Sequence, residues 1–155
     1  MRRDLRTFSF IRILVIVSLL ITGYRGAAQL TVTEGAAMGM TPQVLVETWL
    51  VGQGVFVSNC TYNGSTAPIT SNQIGTYTAT GDAAMQLGLP AGVLLTSGEA
   101  VIAIGPNNSP GAGAGTTSGS DPDLNLLAGV NTNDKAVLEF DFVPQSDTLK
   151  FRYVF

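Results

Sequence analysis

Two carboxylates, Glu139 and Asp141, lie two residues apart in an alternating segment near the end of the chain. Residues at this spacing project from the same face of a strand, and paired carboxyl groups are the machinery of glycoside hydrolysis. One of the two would have to act as a general acid with a raised pKa. We expect the opposite, because Lys150 and Arg152 in the following segment would keep both carboxylates ionised. The pair therefore predicts no catalytic residues.

A second group of oxygen-bearing side chains falls between residues 121 and 134, in a stretch with the composition of a loop. Calcium takes roughly six to eight oxygen ligands, and extracellular modules often bind it weakly. The spacing matches no EF-hand loop, and Asp and Asn also serve as helix caps and turn residues. Calcium is therefore the only cofactor that the sequence suggests, beside a purely structural interpretation. The candidate ligands are Asp121, Asp123, Asn131, Asn133 and Asp134.

The other reactive side chains give no sign of catalysis. The chain has no histidine, which removes Ser-His-Asp and Cys-His catalysis and the usual zinc sites. The single cysteine, Cys60, lies in a predicted strand without a basic neighbour, so we expect an inert core thiol. The Gly- and Ser-rich stretch 105–120 lacks the lysine of a phosphate-binding loop. We predict that the chain is not an enzyme.

The N-terminus has the three parts of a secretory signal peptide, namely a basic start, a short apolar core and small residues before a cleavage site. The apolar run covers 13–21, and the small residues end at Ala28. Twelve residues separate Arg12 from Arg25, whereas a membrane-spanning helix needs about 20. We therefore predict that residues 1–28 are cleaved, that no transmembrane span is present, and that the protein is secreted or displayed on the outer cell surface.

The charge of the expected mature chain argues against polyanionic partners. Only three of the eight basic residues lie after residue 28, against ten of the eleven acidic residues, which gives a net charge of −7. Nucleic acid and anionic membranes both require clustered lysine and arginine. We expect no nucleic acid partner, and an extracellular protein or a glycan instead.

The pattern of the mature chain predicts a mainly β fold with one short N-terminal helix. After a lead segment at 29–40, Thr41 is suited to cap a helix, Pro42 suits its first position and Gly52 suits its end. Trp49 lies four residues after Leu45, which makes it a core residue. Short apolar and β-branched runs separated by turn residues favour an antiparallel β-sandwich. These runs lie at 55–62, 75–78, 93–96 and 101–104.

Two further segments follow the predicted strands. The stretch 105–120 holds no large apolar residue, so it predicts a mobile loop. After it, Asp121 can cap a helical turn that begins at Pro122. Leu124 and Leu127 would then face the core.

Residues 136–155 predict a β-hairpin in which one register satisfies both faces. The segment before the turn alternates apolar and acidic residues, and the segment after it alternates apolar and basic residues. Closing the chain over the turn at 144–147 aligns the apolar positions with one another and the opposite charges with one another. The expected pairs are Leu138 with Tyr153, Phe140 with Phe151, Phe142 with Leu149, Glu139 with Arg152, and Asp141 with Lys150.

Six ordered sequence blocks resemble the choice-of-anchor L domain, a family of bacterial surface and secreted proteins. Together they cover residues 41–155, which makes the resemblance more specific than any single block. Cys60 stands where the family more often has an aliphatic residue. The blocks are TPQVLV at 41–46, VSNCTYNG at 57–64, GVLLTSG at 92–98, DPDL at 121–124, AVLEFDFVP at 136–144 and FRYVF at 151–155.

The resemblance implies a jelly-roll-like sandwich near the N-terminus of a larger protein, with a separate anchoring element at the far C-terminus. In gliding bacteria that element is commonly a type IX secretion signal. The family pattern continues past Phe155, so we interpret the sequence as an N-terminal fragment of an incomplete domain. The family has no well-defined catalytic residues to carry over to this chain.

Two functions are compatible with these observations. The first is a non-catalytic binding or structural module of a surface protein, with a role in adhesion. The second is an accessory domain of a secreted hydrolase whose catalytic part lies beyond residue 155. The full-length reading frame would distinguish them.

Overall fold

The computed structural model of the chain describes residues 29–106, 109, 113 and 118–155. The predicted signal peptide at 1–28 lies outside the described residues, and so does most of the predicted loop at 105–120. The carbonyl of Gly119 and the side chain of Ser118 contact the backbone of Lys135, through hydrogen bonds of 3.1 and 2.7 Å. These two bonds fix the start of the C-terminal part of the chain.

The described residues form two antiparallel sheets, as expected for a mainly β chain. The three-stranded sheet has the order β1-β3-β4, and the two-stranded sheet pairs β2 with β5. The sandwich and jelly-roll arrangement of these sheets stays a prediction. The strands are β1 (Gln29–Glu34), β2 (Val55–Tyr62), β3 (Ile74–Thr80), β4 (Ala91–Leu95) and β5 (Leu138–Pro144).

In the described residues, five short α-helical or 3₁₀-helical segments connect the strands. They are α1 (Gly35–Met38), α2 (Pro42–Leu45), α3 (Gly81–Leu87), a 3₁₀ helix (Ala100–Ile104) and α4 (Pro122–Ala128). In place of one regular helix ending at Gly52, α2 continues as a π-helical turn over Val46–Leu50. Thr41 accepts a hydrogen bond from the Val44 amide at 3.3 Å at the start of α2. Asp121 caps α4 by accepting from the amides of Asp123 and Leu124, which confirms its predicted role.

A small apolar cluster joins the two sheets. Leu45, Tyr62, Ile69 and Ile74 are buried and contact one another. Half-buried side chains from both sheets and from the helical region pack against this cluster, namely Met38, Trp49, Val93, Ala136 and Leu138. The core therefore lies where α2 and the π-helical turn meet the sheets.

The lead segment at 29–40 is more structured than its sequence indicates. It contains β1, whose residues pair in register with β3 from Gln29 opposite Thr80 to Glu34 opposite Gly75. Its Leu-Thr-Val-Thr alternation covers only residues 30–33, with the threonines on the exposed face. Helix α3 was not predicted either.

The prediction of a strand at 101–104 is wrong, since this segment belongs to the 3₁₀ helix. Its β-branched residues favour a strand, yet β3 already has β1 and β4 as its two neighbours. The Val101 amide instead donates to the Glu34 carboxylate at 2.9 Å, which attaches the segment to the end of β1. Tertiary context overrides the local propensity here.

The predicted C-terminal hairpin is also wrong. Strand β5 pairs with β2, so that Asp141 stands opposite Ser58 and Glu139 opposite Thr61, while residues 149–155 form no strand. The Phe151 ring contacts Phe142 instead of Phe140, with centroids 6.0 Å apart. The alternation itself is present, because Leu138 and Phe140 are half-buried while the two carboxylates are exposed.

The leucines of α4 do not face the core as predicted. Leu124 is 50% exposed and Leu127 is 85% exposed. The helix is anchored through polar contacts instead, since Asn125 accepts from both the amide and the hydroxyl of Thr132.

Across the described ranges, no helix is long and apolar enough to cross a membrane.

Candidate binding site

The two carboxylates singled out from the sequence are held by neutral partners. Asn59 donates to Asp141 at 2.7 Å, and Thr61 donates to Glu139 at 3.5 Å. Asn59 has a positive φ of 52° at an irregularity in the pairing of β2, which places its amide beside Asp141. Lys150 and Arg152 lie on the exposed terminal segment and not opposite these groups.

The candidate calcium ligands are spread over a cap and a turn. One oxygen of Asp121 caps α4, and Asp134 has a positive φ of 54° and accepts through its carbonyl from Gln73. Asp123 and Asn133 are exposed, as is Asn131. In the part of the chain that the structure describes, no three carboxylate or thiol side chains come together. A calcium site here would need amide and backbone oxygens as well, and it stays a prediction.

Cys60 is a buried free thiol. It donates to the Ser58 carbonyl at 3.8 Å. Burial raises the pKa of this thiol, and the carboxylates of Glu47 and Asp141 add to the rise. A raised pKa leaves little thiolate at neutral pH, which is the property of an inert core cysteine.

A groove with a volume of about 300 Å³ lies on the three-stranded sheet, beside the only tryptophan of the chain. Its floor comes from β1 and β3, and its walls come from α1, the residues that follow α1, and the π-helical turn. No lining residue carries a charge at neutral pH. The groove is lined by Thr31, Thr33, Ala37, Met38, Met40, Trp49, Thr76, Tyr77 and Thr78.

Four threonines on β1 and β3 form the floor of this groove. Thr31 is the cross-strand partner of Thr78, and Thr33 is the partner of Thr76. Cross-strand partners lie on the same face of a sheet, so the four side chains share one surface. Thr76 is buried toward the core, whereas the other three are exposed. The floor therefore presents hydroxyl groups that both donate and accept hydrogen bonds.

The π-helical turn sets the position of Trp49. The Val51 amide donates to the Val46 carbonyl at 3.0 Å, a bond that spans five residues instead of four. Leu45 and Val46 are both buried beneath this turn, while Trp49 is half-buried against the core. Single π turns occur frequently at functional sites, because the extra residue redirects the side chains that follow it.

The Trp49 indole N–H is buried and has no hydrogen-bond partner among the described residues. Buried polar groups are nearly always paired, and a group left unpaired costs about 1–3 kcal/mol. Because this nitrogen is enclosed by protein, a ligand seated in the groove would contact the apolar ring atoms of Trp49 and not the N–H.

The sequence identified Trp49 only as a core residue, and the threonines were not singled out. Two Thr-x-Thr segments, at 31–33 and 76–78, were the available signal. These segments indicate a shared surface only when β1 and β3 are known to pair, because the distance between them in the sequence does not specify a register.

Comparison with known proteins gives one match. The model of the choice-of-anchor L domain family matches residues 31–155, which include most of β1 and every later element described above. No curated protein and no solved structure matches the chain. The match covers most of the chain and confirms the resemblance seen in the six sequence blocks.

Proposed function

Since the chain belongs to the choice-of-anchor L domain family and is therefore a surface-associated module of a bacterial protein, we propose that it is an extracellular, non-catalytic binding module that contributes to adhesion. The signal peptide predicted at 1–28 would deliver the protein to the outside of the cell.

The groove beside Trp49 is the single observation that supports binding most directly. It is concave, and it combines an aromatic ring and two methionines with a hydroxyl-bearing floor. Mostly apolar clefts with a few convergent polar groups are the usual form of ligand sites.

The same groove supports a non-catalytic role. Its lining holds no carboxylate, no histidine and no cysteine, so the hydroxyl groups of its threonines have no neighbouring base in the groove that would activate them as nucleophiles. The carboxylates Glu139 and Asp141 belong to β5 in the other sheet. Binding chemistry and acid-base chemistry are therefore separated in the described part of the chain.

Deletion of the reading frame in its bacterial host tests this proposal. We expect the intact protein to be accessible to protease on whole cells. We also expect the deletion strain to attach less to surfaces coated with extracellular polymers, and a plasmid copy to restore attachment. A protein found only in the cytoplasm, or a deletion without effect on attachment, would contradict the proposal. Catalytic turnover of those polymers by the purified protein would contradict its non-catalytic part.

A further inference from the structure

We propose that the groove beside Trp49 binds one neutral sugar ring of an extracellular glycan. This inference rests on the proposed function of the chain as a binding module and names the chemical class of its ligand. It is carried by the charge, the hydrogen-bonding groups, the size and the backbone pairing of the groove.

The charge of the lining residues limits the kind of ligand that the groove can bind. The lining residues are threonine, methionine, alanine, tryptophan and tyrosine, none of which is charged at neutral pH. A phosphate, sulfate or carboxylate in this groove would lose hydration without gaining a cation. The mature chain also has a net charge of −7, from three basic and ten acidic residues after position 28, which repels anions at long range. A cation would likewise find no carboxylate in the lining to pair with, so the ligand is neutral.

The hydrogen-bonding groups match a molecule that carries hydroxyls over an apolar body. Thr31, Thr33 and Thr78 are exposed on the floor, and their hydroxyls can donate or accept hydrogen bonds. A sugar ring provides hydroxyls around its rim and apolar C–H groups on its faces. The indole ring and the thioether of Met38 offer the apolar contact surface that those faces require.

The size of the groove sets the number of rings. Ligand pockets range from about 300 to 1,000 Å³, and the volume here is about 300 Å³. One ring with its substituents fits such a volume, whereas the neighbouring rings of a chain would extend over the surface. A single ring offers about 12 heavy atoms, which at drug-like efficiency corresponds to a Kd on the order of 1 mM.

Backbone pairing excludes the main alternative, an extended peptide. Peptides add to sheets by hydrogen bonding to the free edge of a strand. The floor of this groove is the face of β1 and β3, whose backbones are already paired with one another from Gln29 opposite Thr80 to Glu34 opposite Gly75. A peptide would find no main-chain partners on this floor, while sugar hydroxyls require only the side chains.

Tryptophan fluorescence measures the binding at the site itself, because Trp49 is the only tryptophan in the chain. The full secreted chain is titrated with four neutral pentasaccharides, namely maltopentaose, cellopentaose, xylopentaose and chitopentaose. Trigalacturonate serves as the charged probe and a blocked Ser-Thr hexapeptide as the peptide probe. We expect a saturable change with at least one neutral sugar, at a Kd on the order of 1 mM, and weaker or no binding of the other two probes.

Matched threonine variants locate the site. Thr31→Val and Thr78→Val remove exposed hydroxyls from the floor and retain β-forming side chains, so the fold is maintained. Each should weaken sugar binding about 3- to 10-fold, which corresponds to one hydrogen bond. Thr80→Val is the control, since Thr80 is exposed on β3 but does not line the groove. Trp49→Phe, followed by calorimetry, should also weaken binding, by reducing the aromatic surface that contacts the sugar.

The results separate this inference from the proposed function. The inference is overturned if none of the four sugars changes Trp49 fluorescence at 20-fold the expected Kd, if trigalacturonate or the peptide binds more tightly, or if Thr80→Val weakens binding as much as Thr31→Val. If cells carrying Thr31→Val still attach normally while the purified variant loses sugar binding, the groove binds sugar without serving adhesion. Loss of surface exposure in the wild-type protein would instead contradict the proposed function alone.

Discussion

Gln73 is the buried polar residue that ties three segments of the chain together. Its side chain is 1% exposed and donates to the carbonyls of Asp134, at 2.8 Å, and of Ser97, at 3.3 Å. Its own carbonyl accepts from Thr96. A buried amide satisfied in this way fixes the loop before β5 against the start of β3.

Replacement of Gln73 by leucine should lower the free energy of unfolding by about 1–3 kcal/mol, because it removes two hydrogen bonds that a buried amide donates. Chemical denaturation of the secreted chain measures the change. Gln145→Leu is the matched control, since Gln145 is exposed, and it should stay within about 0.5 kcal/mol of the wild type. Equal effects of the two substitutions would show that Gln73 does not hold these segments together.

Cys60 should make the fold sensitive to alkaline conditions. Burial raises the pKa of its thiol in the folded state, so the folded protein binds this proton more tightly than the unfolded chain. The corresponding stability is fully present below about pH 8.5, the ordinary pKa of cysteine, and is lost as the pH rises through the folded pKa.

Melting temperatures measured from pH 7 to 10 test this prediction. The wild type should lose stability above about pH 8.5, and Cys60→Ala should lose less over the same range. The thiol should also react slowly with a maleimide at pH 7. Fast labelling of the native protein, or identical pH profiles for both proteins, would mean that Cys60 is accessible and its pKa ordinary.

At the scale of elements, the start of α1 depends on close contact with the chain around Ser71. Gly35 is buried, and a Cβ added there would collide with the Ser71 carbonyl and the Ile69 side chain. Ile69 belongs to the apolar cluster, so the contact joins β1 and α1 to the core. Only glycine permits this approach of the two backbones.

Gly35→Ala should therefore destabilise the protein by about 1–3 kcal/mol, the usual cost of overpacking in a core. Gly52→Ala provides the control, because a Cβ at that position would meet no atom within 4 Å. Thermal unfolding of the two variants should show a lowered Tm for the first and an unchanged Tm for the second. If Gly35→Ala left the Tm unchanged, this result would show that α1 does not pack as described.

The alternation of β5 leads to a second prediction at this scale. Phe140 is half-buried and contacts the Phe142 ring at a centroid distance of 6.4 Å, whereas Asp141 is exposed and bonded to Asn59. Phe140→Ala should cost about 2–3 kcal/mol, less than a fully buried phenylalanine would. Asp141→Ala should cost at most about 1 kcal/mol, since the lost hydrogen bond is exposed. If urea denaturation instead showed a larger loss of stability for Asp141→Ala than for Phe140→Ala, the carboxylates would again be candidates for a functional role.

For the whole molecule, the position of signal cleavage determines whether the three-stranded sheet is complete. Strand β1 begins at Gln29 and pairs with the end of β3, so cleavage after Ala28 leaves every residue of β1 in the mature chain. Mass spectrometry of the secreted protein should find an N-terminus at or next to Gln29. A chain engineered to start at Gly35 should unfold at lower temperature, because β3 then lacks one neighbour. Met1 on exported protein would contradict the predicted cleavage.

Local features of the sequence determined much of the secondary structure. The strands β2, β3 and β4 lie at predicted apolar runs, and Asp121 caps α4 as its spacing from Pro122 indicates. These features are readable because a cap joins a side chain to amides two or three residues away, and a strand shows its alternation within its own length. The family resemblance is readable for the same reason, since it consists of ordered short blocks.

Pairing between distant segments was decided only by the tertiary structure. The hairpin at 136–155 satisfied a local register, yet β5 joins β2, and Asn59 contacts Asp141 across 82 positions. In the same way, β1 pairs with β3, and the apolar residues at 101–104 lie outside the sheet. The groove depends on these pairings, because two Thr-x-Thr segments become one floor only when their strands are adjacent. A sequence pattern specifies which face of a strand is apolar, but the choice among competing partner strands depends on the packing energy of the whole chain.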